Sequence, residues 1–363
     1  MKFTTDVSNL KKALSIIKPA IPKKSDMAIL YGVCLELRKK ELTLCAFNLQ
    51  QGIKTRIEVE SDSAEDVCGA IVDFNLLSSI LSKLDGEITL VRNEDPQLLI
   101  THSLGEYNLS VSDLEEYPVL PSFEEKGIEL NWKEIKPILD IAKEAASTNP
   151  AKQILTGIHF KPIEDTNVTE IAATDGHRLI KGMYNGLVVN EPVTISRDII
   201  EASLTAFRDK YITLSVSGSL VKFESEETSL IGYTVTGDYP RYEALIPDKF
   251  AHEMLINGSD FKKYLSLTSP LQEKVTPLVK LDITSDNIKL SSLVPDVGNV
   301  EVDYKVDVGP TEEVLLAFNY KYLLGAVSAF TEECSLCINE PNHPVILSSS
   351  DIKYLIMPVM RTS

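Results

Sequence analysis

One segment, IVDFNLLSSILSKLDGEITL (Ile71–Leu90), has two counterparts further along the chain, ISRDIIEASLTAFRDKYITL (Ile195–Leu214) and LAFNYKYLLGAVSAFTEECSL (Leu316–Leu336). Each reads as a short strand, then a helix with apolar residues at i, i+3, i+4 and i+7, then a second strand. The closing leucines lie 124 and 122 residues apart. A repeat of this length predicts three domains of similar architecture.

Other landmarks recur at nearly the same period. A strand followed by an amphipathic helix opens each unit, at Lys2–Ile17, Ile128–Ala142 and Met254–Leu267. The N-caps expected for these helices are Asp6 or Ser8, Asn131 and Ser259. Short alternating runs separated by turn residues predict about eight antiparallel strands per unit. We therefore expect an α+β fold with domains at 1–124, 125–248 and 249–363, each with two helices packed on antiparallel sheets.

The charge balance limits how this chain could meet DNA. It carries 36 Lys+Arg against 53 Asp+Glu, a formal net charge of −17. That excludes a protein that neutralises DNA phosphates over its whole surface. A local basic face stays compatible with DNA, because charges are screened beyond about 10 Å at 0.1 M salt. On the predicted helices, the candidate DNA contacts are Lys12, Lys136, Arg197 and Lys263. The alternative is that these cations only form a solvated helical face.

The remaining composition predicts a folded cytosolic protein. Hydrophobic residues make up 44% of the chain, no apolar run reaches the roughly 18 residues of a membrane helix, and the first residues lack a signal-peptide pattern. Five cysteines fit reduced thiols better than a disulfide framework. Cys334 and Cys337 form a CxxC, but the repeat places them inside a strand without further ligands, so we expect neither a metal nor a cofactor.

The most polar compact cluster is TDGHRL, at Thr174–Leu179. Three interpretations are open: a turn with a satisfied histidine, a binding site, or an acid–base pair of Asp175 and His177. No nucleophile, second carboxylate pair or glycine-rich phosphate loop accompanies the cluster. Catalysis is therefore the least supported of the three.

Several motifs together resemble one family across the full length of the chain. They are MKFT (Met1–Thr4), TDGHRL (Thr174–Leu179), YP followed by LIP (Tyr239–Pro247), FNxxYLL (Phe318–Leu324) and MPVMR (Met357–Arg361). Their order and positions resemble the bacterial DNA polymerase III beta subunit family, the sliding clamps. A six-residue motif alone would be a weak signal, whereas these motifs in the right order are specific.

The resemblance implies a non-enzymatic processivity factor. Its members form a head-to-tail homodimer, a ring with helices around the hole and sheets outside, which encircles duplex DNA independently of sequence. The implied partners are the DNA polymerase III alpha subunit, the clamp loader, and other polymerases and repair proteins that carry a clamp-binding motif. An alternative is a clamp-like paralogue that binds partners as a scaffold or decoy without a replicative role.

The resemblance also implies a pocket for a short peptide motif of a Gln and apolar residues. Apolar and adaptable side chains would take the anchors, and His, Arg and Asn would fix polar groups. The matching positions are Leu155, Thr174, Gly176, His177, Arg178, Leu179, Pro240, Leu245, Asn319, Tyr322, Val345, Met357, Pro358, Val359, Met360 and Arg361. For DNA contact the implied residues are Lys24, Lys152 and Gln153, beside the helix cations named above.

Three positions depart from the family pattern. Ala244 stands where an Arg is common beside the pocket, and Asn75 stands where a basic residue is common on an inner helix. The terminal MPVMRTS is longer than the shortest family ending, which shifts Arg361 relative to the pocket. These departures bear on peptide preference and DNA affinity.

Overall fold

A computed structural model describes residues 1–61, 67–92 and 96–359. Within these ranges the chain forms six α-helices and 24 β-strands, with two helices and eight strands in each predicted third. All strand pairs with a described register are antiparallel. The α+β fold class predicted from the repeat is confirmed.

The six helices lie in the segments that the repeat predicts, and a side-chain oxygen is described as the cap of five of them. They are α1 (Val7–Ile17), α2 (Phe74–Leu81), α3 (Trp132–Ala145), α4 (Arg197–Ala206), α5 (Gly258–Ser266) and α6 (Tyr320–Ser328). The caps are Asp6, Asp73, Ser196, Asn257 and Asn319. The prediction of Ser259 as a cap is wrong. Asn257 Oδ1 accepts from the Asp260 N–H at 3.0 Å, while the Ser259 hydroxyl, inside α5, donates to the Thr331 carbonyl at 2.6 Å.

The strands fall into three sets of eight. The first set is β1 (Lys2–Asp6), β2 (Gly32–Arg38), β3 (Glu41–Phe47), β4 (Gln51–Glu58), β5 (Cys68–Asp73), β6 (Glu87–Arg92), β7 (Gln97–His102) and β8 (Gly105–Ser110). The second set is β9 (Ile128–Asn131), β10 (Gly157–Pro162), β11 (Thr169–Thr174), β12 (Arg178–Tyr184), β13 (Val193–Ser196), β14 (Tyr211–Ser217), β15 (Leu220–Glu224) and β16 (Thr228–Tyr233). The third set is β17 (His252–Asn257), β18 (Leu278–Ile283), β19 (Asn287–Val294), β20 (Gly298–Lys305), β21 (Val314–Asn319), β22 (Glu333–Ile338), β23 (Val345–Ser348) and β24 (Ile352–Ile356).

The chain groups into two compact units, residues 1–136 with 195–234 and residues 137–194 with 235–363. The first unit holds the sheets β1-β6-β7-β8 and β5-β2-β3-β4-β16-β15-β14-β9. The second unit holds the sheets β13-β10-β11-β12-β24-β23-β22-β17 and β20-β19-β18-β21. Each eight-stranded sheet takes four strands from the middle repeat, so the two units share that repeat. The three domain boundaries stay a prediction.

The core of the first unit is built on one face of α1 and on an aromatic cluster. Leu10 and Ile17 of α1 are fully buried. The Trp132 ring lies edge-on to Phe207 and Phe223, with centroids 6.1 and 6.3 Å away, and its Nε1 donates to the Phe207 carbonyl at 3.1 Å. Aromatic pairs in this geometry add stability beyond the area they bury. The buried face of α1 and this aromatic cluster are thus the apolar surfaces of the first unit's core.

The second unit combines an apolar core with one buried charge. Leu179 packs with Tyr242 and Leu355 in a buried cluster. Beside it, the buried Glu170 carboxylate is paired with Lys181 and accepts from the Tyr242 hydroxyl at 2.5 Å. A buried carboxylate requires such partners, because leaving it unpaired would be strongly destabilising.

The CxxC cysteines lie in β22, as the repeat predicts. Both thiols are free and buried, and burial raises the pKa of Cys334 to about 11. No group of three or more His, Cys, Asp or Glu residues in the described ranges is arranged to hold a metal ion. Among the helices of the same ranges, none is long and apolar enough to cross a membrane.

Candidate functional site

The TDGHRL residues form a rigid turn between β11 and β12. The Thr174 hydroxyl donates to the Arg178 carbonyl at 2.6 Å and accepts from the Gly176 N–H at 3.0 Å. Asp175 Oδ1 accepts from the backbone N–H groups of His177 and Arg178 at 2.9 and 3.2 Å. Gly176 has φ +93°, a conformation that favours glycine. The turn therefore presents the exposed His177 from a fixed backbone.

Tyr239, the tyrosine of the YP motif, supports this turn through a hydrogen bond to its backbone. The Thr174 N–H donates to the Tyr239 hydroxyl oxygen at 3.1 Å, and the Tyr239 ring stacks on His159 with centroids 4.7 Å apart. Burial raises the pKa of Tyr239, so its hydroxyl stays neutral. His159 Nδ1 lies 3.0 Å from the Thr194 hydroxyl. The turn is thus joined to the sheet through two aromatic side chains.

Two side chains of the turn lie against the same ring of α6. The Arg178 guanidinium lies 4.7 Å from the Tyr322 ring centroid, and the His177 ring is near-parallel to Tyr322 at 6.1 Å. A guanidinium over an aromatic face is attracted by the ring's negative charge distribution. The result is a polar wall of His, Arg and Tyr, drawn from residues about 145 positions apart.

The segment after β24 forms the other side of the site. β24 pairs with β12, and beyond it the Met357 N–H donates to the His177 carbonyl at 2.9 Å. The Val359 N–H donates to the Ala317 carbonyl at 2.7 Å. Met357 and Val359 keep more than a third of their surface exposed. A flexible Met beside an apolar Val, both held by their backbones, is suited to an apolar anchor.

The predicted pocket residues fall into three groups, and all that are described lie in the second unit. Exposed or partly exposed side chains are those of Leu155, His177, Arg178, Pro240, Leu245, Asn319, Tyr322, Met357, Pro358 and Val359, with Gly176 at the turn. Three others, Thr174, Leu179 and Val345, are buried. Being buried, these three residues support the backbone of the site and do not line its surface. Met360 and Arg361 lie outside the described residues.

The predicted DNA contacts are dispersed over helices and loops. Lys12 and Lys263 are exposed on α1 and α5, and Lys136 and Arg197 are half-buried on α3 and α4. Lys24 is exposed in a loop, and Gln153 is exposed in a short 3₁₀ helix, Pro150–Thr156. Lys152 is exposed too, and its Nζ donates to the Asp175 carbonyl in the TDGHRL turn at 3.3 Å. Their contact with DNA stays a prediction.

Two contributors to the site were not among the predicted pocket residues. Asp175 organises the turn, and Tyr239 supports it. Both lie inside motifs that the sequence displays, so the motifs were the available signal. The acid–base interpretation loses support, because the Asp175 carboxylate contacts the backbone of His177 while the His177 ring lies against Tyr322.

Family models match both ends of the chain. Residues 1–121 match the DNA polymerase III beta subunit, N-terminal domain, and residues 243–360 match the DNA polymerase III beta subunit, C-terminal domain. Together the two ranges cover well over half of the chain. The matches include the opening MKFT motif and the FNxxYLL and MPV segments that form the site.

Complete relatives agree with those matches. The beta sliding clamp of Synechocystis sp. is 29% identical over 400 residues, covering 99% of each chain. The crystal structure of the DNA polymerase sliding clamp from Bacillus subtilis has a TM-score of 0.88 at 23% identity, covering 99% of each chain. The Helicobacter pylori beta clamp bound to a DNA ligase peptide has a TM-score of 0.87 at 22% identity, covering 99% of this chain and all of that one.

Proposed function

Because this chain belongs to the DNA polymerase III beta subunit family, the DNA sliding clamps, we propose that two copies join head to tail into a ring around duplex DNA. The ring would tether the replicative polymerase without catalysing a reaction. Enclosure would replace tight phosphate binding, which suits a chain with a net charge of −17.

The pairing of strands between repeats is the observation that carries the ring proposal. The fourth strand of the first repeat, β4, pairs with the eighth of the second, β16, and β12 pairs in the same way with β24. By the same rule β20 would pair with a β8, but within the described residues each of these is the edge of a four-stranded sheet. An edge strand is a template for another chain. Pairing β20 of each copy with β8 of the other would satisfy all four edges in a closed ring of two copies.

Exposed apolar residues support the same junction. Leu76 in α2, Ile199 in α4 and Tyr322 in α6 occupy the same position three residues after their N-caps. Ile199 is 2% exposed, whereas Leu76 is 46% exposed. Leu267, just after α5, is 56% exposed. A second copy would cover Leu76 and Leu267 and add stability in proportion to the apolar area removed from water.

Sedimentation equilibrium tests the dimer. The wild type is expected at twice the mass of one chain, and Leu267→Asp is expected to shift it toward the monomer, because it would bury an unpaired carboxylate. Leu255→Asp is the matched control, since Leu255 is similarly exposed but lies on β17, which belongs to the eight-stranded sheet of the second unit and not to the sheet of β20. A monomeric wild type contradicts the ring.

For DNA we propose that each unit contributes weak phosphate contacts. The candidates are the helix cations Lys12, Lys136, Arg197 and Lys263 and three residues in the connections before β2 and β10, Lys24, Lys152 and Gln153. Protein loaded by its clamp loader should stay on nicked circular DNA and leave after linearisation. Lys12→Glu with Lys263→Glu should shorten retention. Peptide binding without any retention on circles would instead favour the scaffold or decoy function.

We further propose that the site in the second unit docks short peptides from polymerases, the clamp loader and repair proteins. The site combines exposed apolar side chains at Met357, Val359 and Leu245 with polar groups at His177 and Arg178. A fluorescein-labelled peptide with a Gln-Leu-Ala-Leu-Phe core should bind the wild type. Removal of residues 357–363 should abolish binding and leave the dimer intact. Unchanged affinity in that truncation contradicts the assignment of the site.

A further inference from the structure

The carboxylate of Asp175 makes two kinds of contact at the proposed peptide site. Its Oδ1 accepts two backbone N–H groups of the turn, and its Oδ2 accepts from Arg178 Nε at 3.1 Å. The side chains of Asp175 and Arg178 are only 13% and 15% exposed, so water screens this ion pair weakly. The Arg178 side chain is therefore held on two sides, by a carboxylate and by the Tyr322 ring.

The first unit contains a natural comparison for Asp175. Asn48, in the turn between β3 and β4, has an amide oxygen that accepts from the N–H groups of Gln50 and Gln51 at 3.0 and 2.8 Å. These are the same two backbone contacts that Asp175 Oδ1 makes. A neutral amide thus suffices to form the turn. The charge of Asp175 and its second oxygen serve Arg178.

Space for Arg178 is provided by a glycine of α6. A Cβ at Gly325 would lie 3.3 Å from Arg178 Nη1 and 3.5 Å from the Tyr354 hydroxyl. In a helix interior, alanine is usually more stabilising than glycine. Here its methyl group would press on the guanidinium. The position of Arg178 is thus set by Asp175, Tyr322 and the absence of a side chain at Gly325.

We propose that Asp175 is a positioning residue of the peptide pocket. Its carboxylate fixes the Arg178 guanidinium over Tyr322, at a set distance from the apolar surface of Met357 and Val359. The inference rests on the proposed peptide docking. Because the contacts with Asp175 and Tyr322 already hold the Arg178 guanidinium in the free protein, less side-chain freedom is lost on docking, which lowers its entropy cost.

Isosteric exchange at the two turns separates positioning from folding. Asp175→Asn keeps the backbone acceptor and loses the charge, and Asn48→Asp is the reverse exchange in the turn without a pocket. Asp175→Asn is expected to weaken binding of the labelled peptide about five- to tenfold with little change in thermal unfolding. Asn48→Asp is expected to leave peptide affinity unchanged.

A spectroscopic measurement and a second variant report on Arg178 directly. In protein labelled with ¹⁵N-arginine, the Nε–H signal of Arg178, assigned with Arg178→Lys, should shift and exchange faster with water in Asp175→Asn. Gly325→Ala should weaken the same peptide by displacing the guanidinium without removing any charge. A purely structural role of Asp175 would change the unfolding temperature and leave this signal unaffected.

The outcomes distinguish this inference from the proposed function. If the wild type does not bind the labelled peptide, peptide docking itself is contradicted. If the wild type binds and Asp175→Asn binds equally well with an unchanged Arg178 signal, the positioning role is overturned and docking stands. Equal losses in Asp175→Asn and Asn48→Asp would also overturn it.

Discussion

The turns Phe47–Gln51 and Thr174–Arg178 are counterparts, 127 residues apart, one in each unit. Both lie between the third and fourth strands of a repeat, and both have an Asn or Asp oxygen accepting two backbone N–H groups. In both, the N–H of the first residue donates to a tyrosine hydroxyl oxygen, at 2.9 and 3.1 Å. The repeat therefore preserves a backbone device down to single hydrogen bonds.

The side chains around the two turns differ. Gln51, 4% exposed, donates from Nε2 to the Pro19 carbonyl, whereas its counterpart Arg178 lies over Tyr322. The counterpart of Tyr322 is Ile199, whose Cδ1 would lie 2.6 Å from a Cβ at Gly232. In the first unit, buried side chains (Gln51 and Ile199) occupy these two positions. In the second unit, the same positions hold the Arg178 guanidinium and the Tyr322 ring. The two turns share one backbone geometry, and a few side chains account for the proposed binding surface at the second turn.

The largest expected effect comes from removing the supporting tyrosines. Tyr117→Ala should destabilise the first unit by about 3–5 kcal/mol, since Tyr117 is buried in an apolar cluster, and Tyr239→Ala should cost the second unit somewhat less. Chemical denaturation measures both losses. Only Tyr239→Ala should also weaken the labelled peptide. An equal effect of both variants on peptide affinity would break the comparison.

The next effect concerns the ring of Tyr322. Tyr322→Ile gives α6 the side chain that α4 has at the same position and removes the surface under Arg178 and His177. Peptide affinity should fall about tenfold, or about 1.4 kcal/mol, by fluorescence polarisation. Ile199→Val is the control and should leave affinity unchanged. If Tyr322→Ile binds like the wild type, the ring does not contribute to the pocket.

The central residues of the two turns sharpen the comparison further. Leu49 has φ 70° and Gly176 φ 93°. Gly176→Ala should destabilise the second unit by about 1 kcal/mol or more, because a side chain is strained there. Leu49→Gly should be neutral or slightly stabilising, as the strain at Leu49 is relieved. Midpoints of urea denaturation measure both changes, and a stabilising Gly176→Ala would contradict the assigned backbone.

The smallest expected effect is a difference in pH response. Burial, helped by the charge of Lys161, lowers the pKa of His159, which stacks on Tyr239. The native state therefore disfavours the charged form, so stability is complete above the unfolded value near 6.5 and falls as pH drops below it. In the first unit, Cys34 lies in the same buried cluster as Tyr117. Burial raises the pKa of the Cys34 thiol, so the thiol stays neutral.

Thermal unfolding of the wild type and His159→Gln between pH 7.5 and 5.5 measures this difference. The wild type should lose more stability than the variant as pH falls. Cys34→Ala is the matched change in the first unit and should leave the pH dependence unaltered. Parallel curves for the wild type and His159→Gln would exclude a contribution from His159.

Sequence patterns were sufficient to predict the helices and strands, but not to predict where each of them begins and ends. The three-fold repeat gave two helices and eight strands per third, and it placed Cys334 and Cys337 correctly inside a strand. The N-cap of α5 was misassigned, because Ser259 and Asn257 are both good caps and only the backbone geometry decides between them. The pocket residues came from motif resemblance, which identified Arg178 but not what holds it.

The sequence by itself determined the repeat, the fold class and the polar turn, since periodicity and turn chemistry act over a few residues. Only the tertiary structure decided that β12 pairs with β24, that Arg178 contacts Tyr322, and that β8 and β20 are sheet edges among the residues described. The alternation of apolar and polar residues along a strand specifies which face of the strand is buried. It does not specify which other strand will pair with it. Which strand or ring becomes its neighbour depends on packing between residues far apart in the chain.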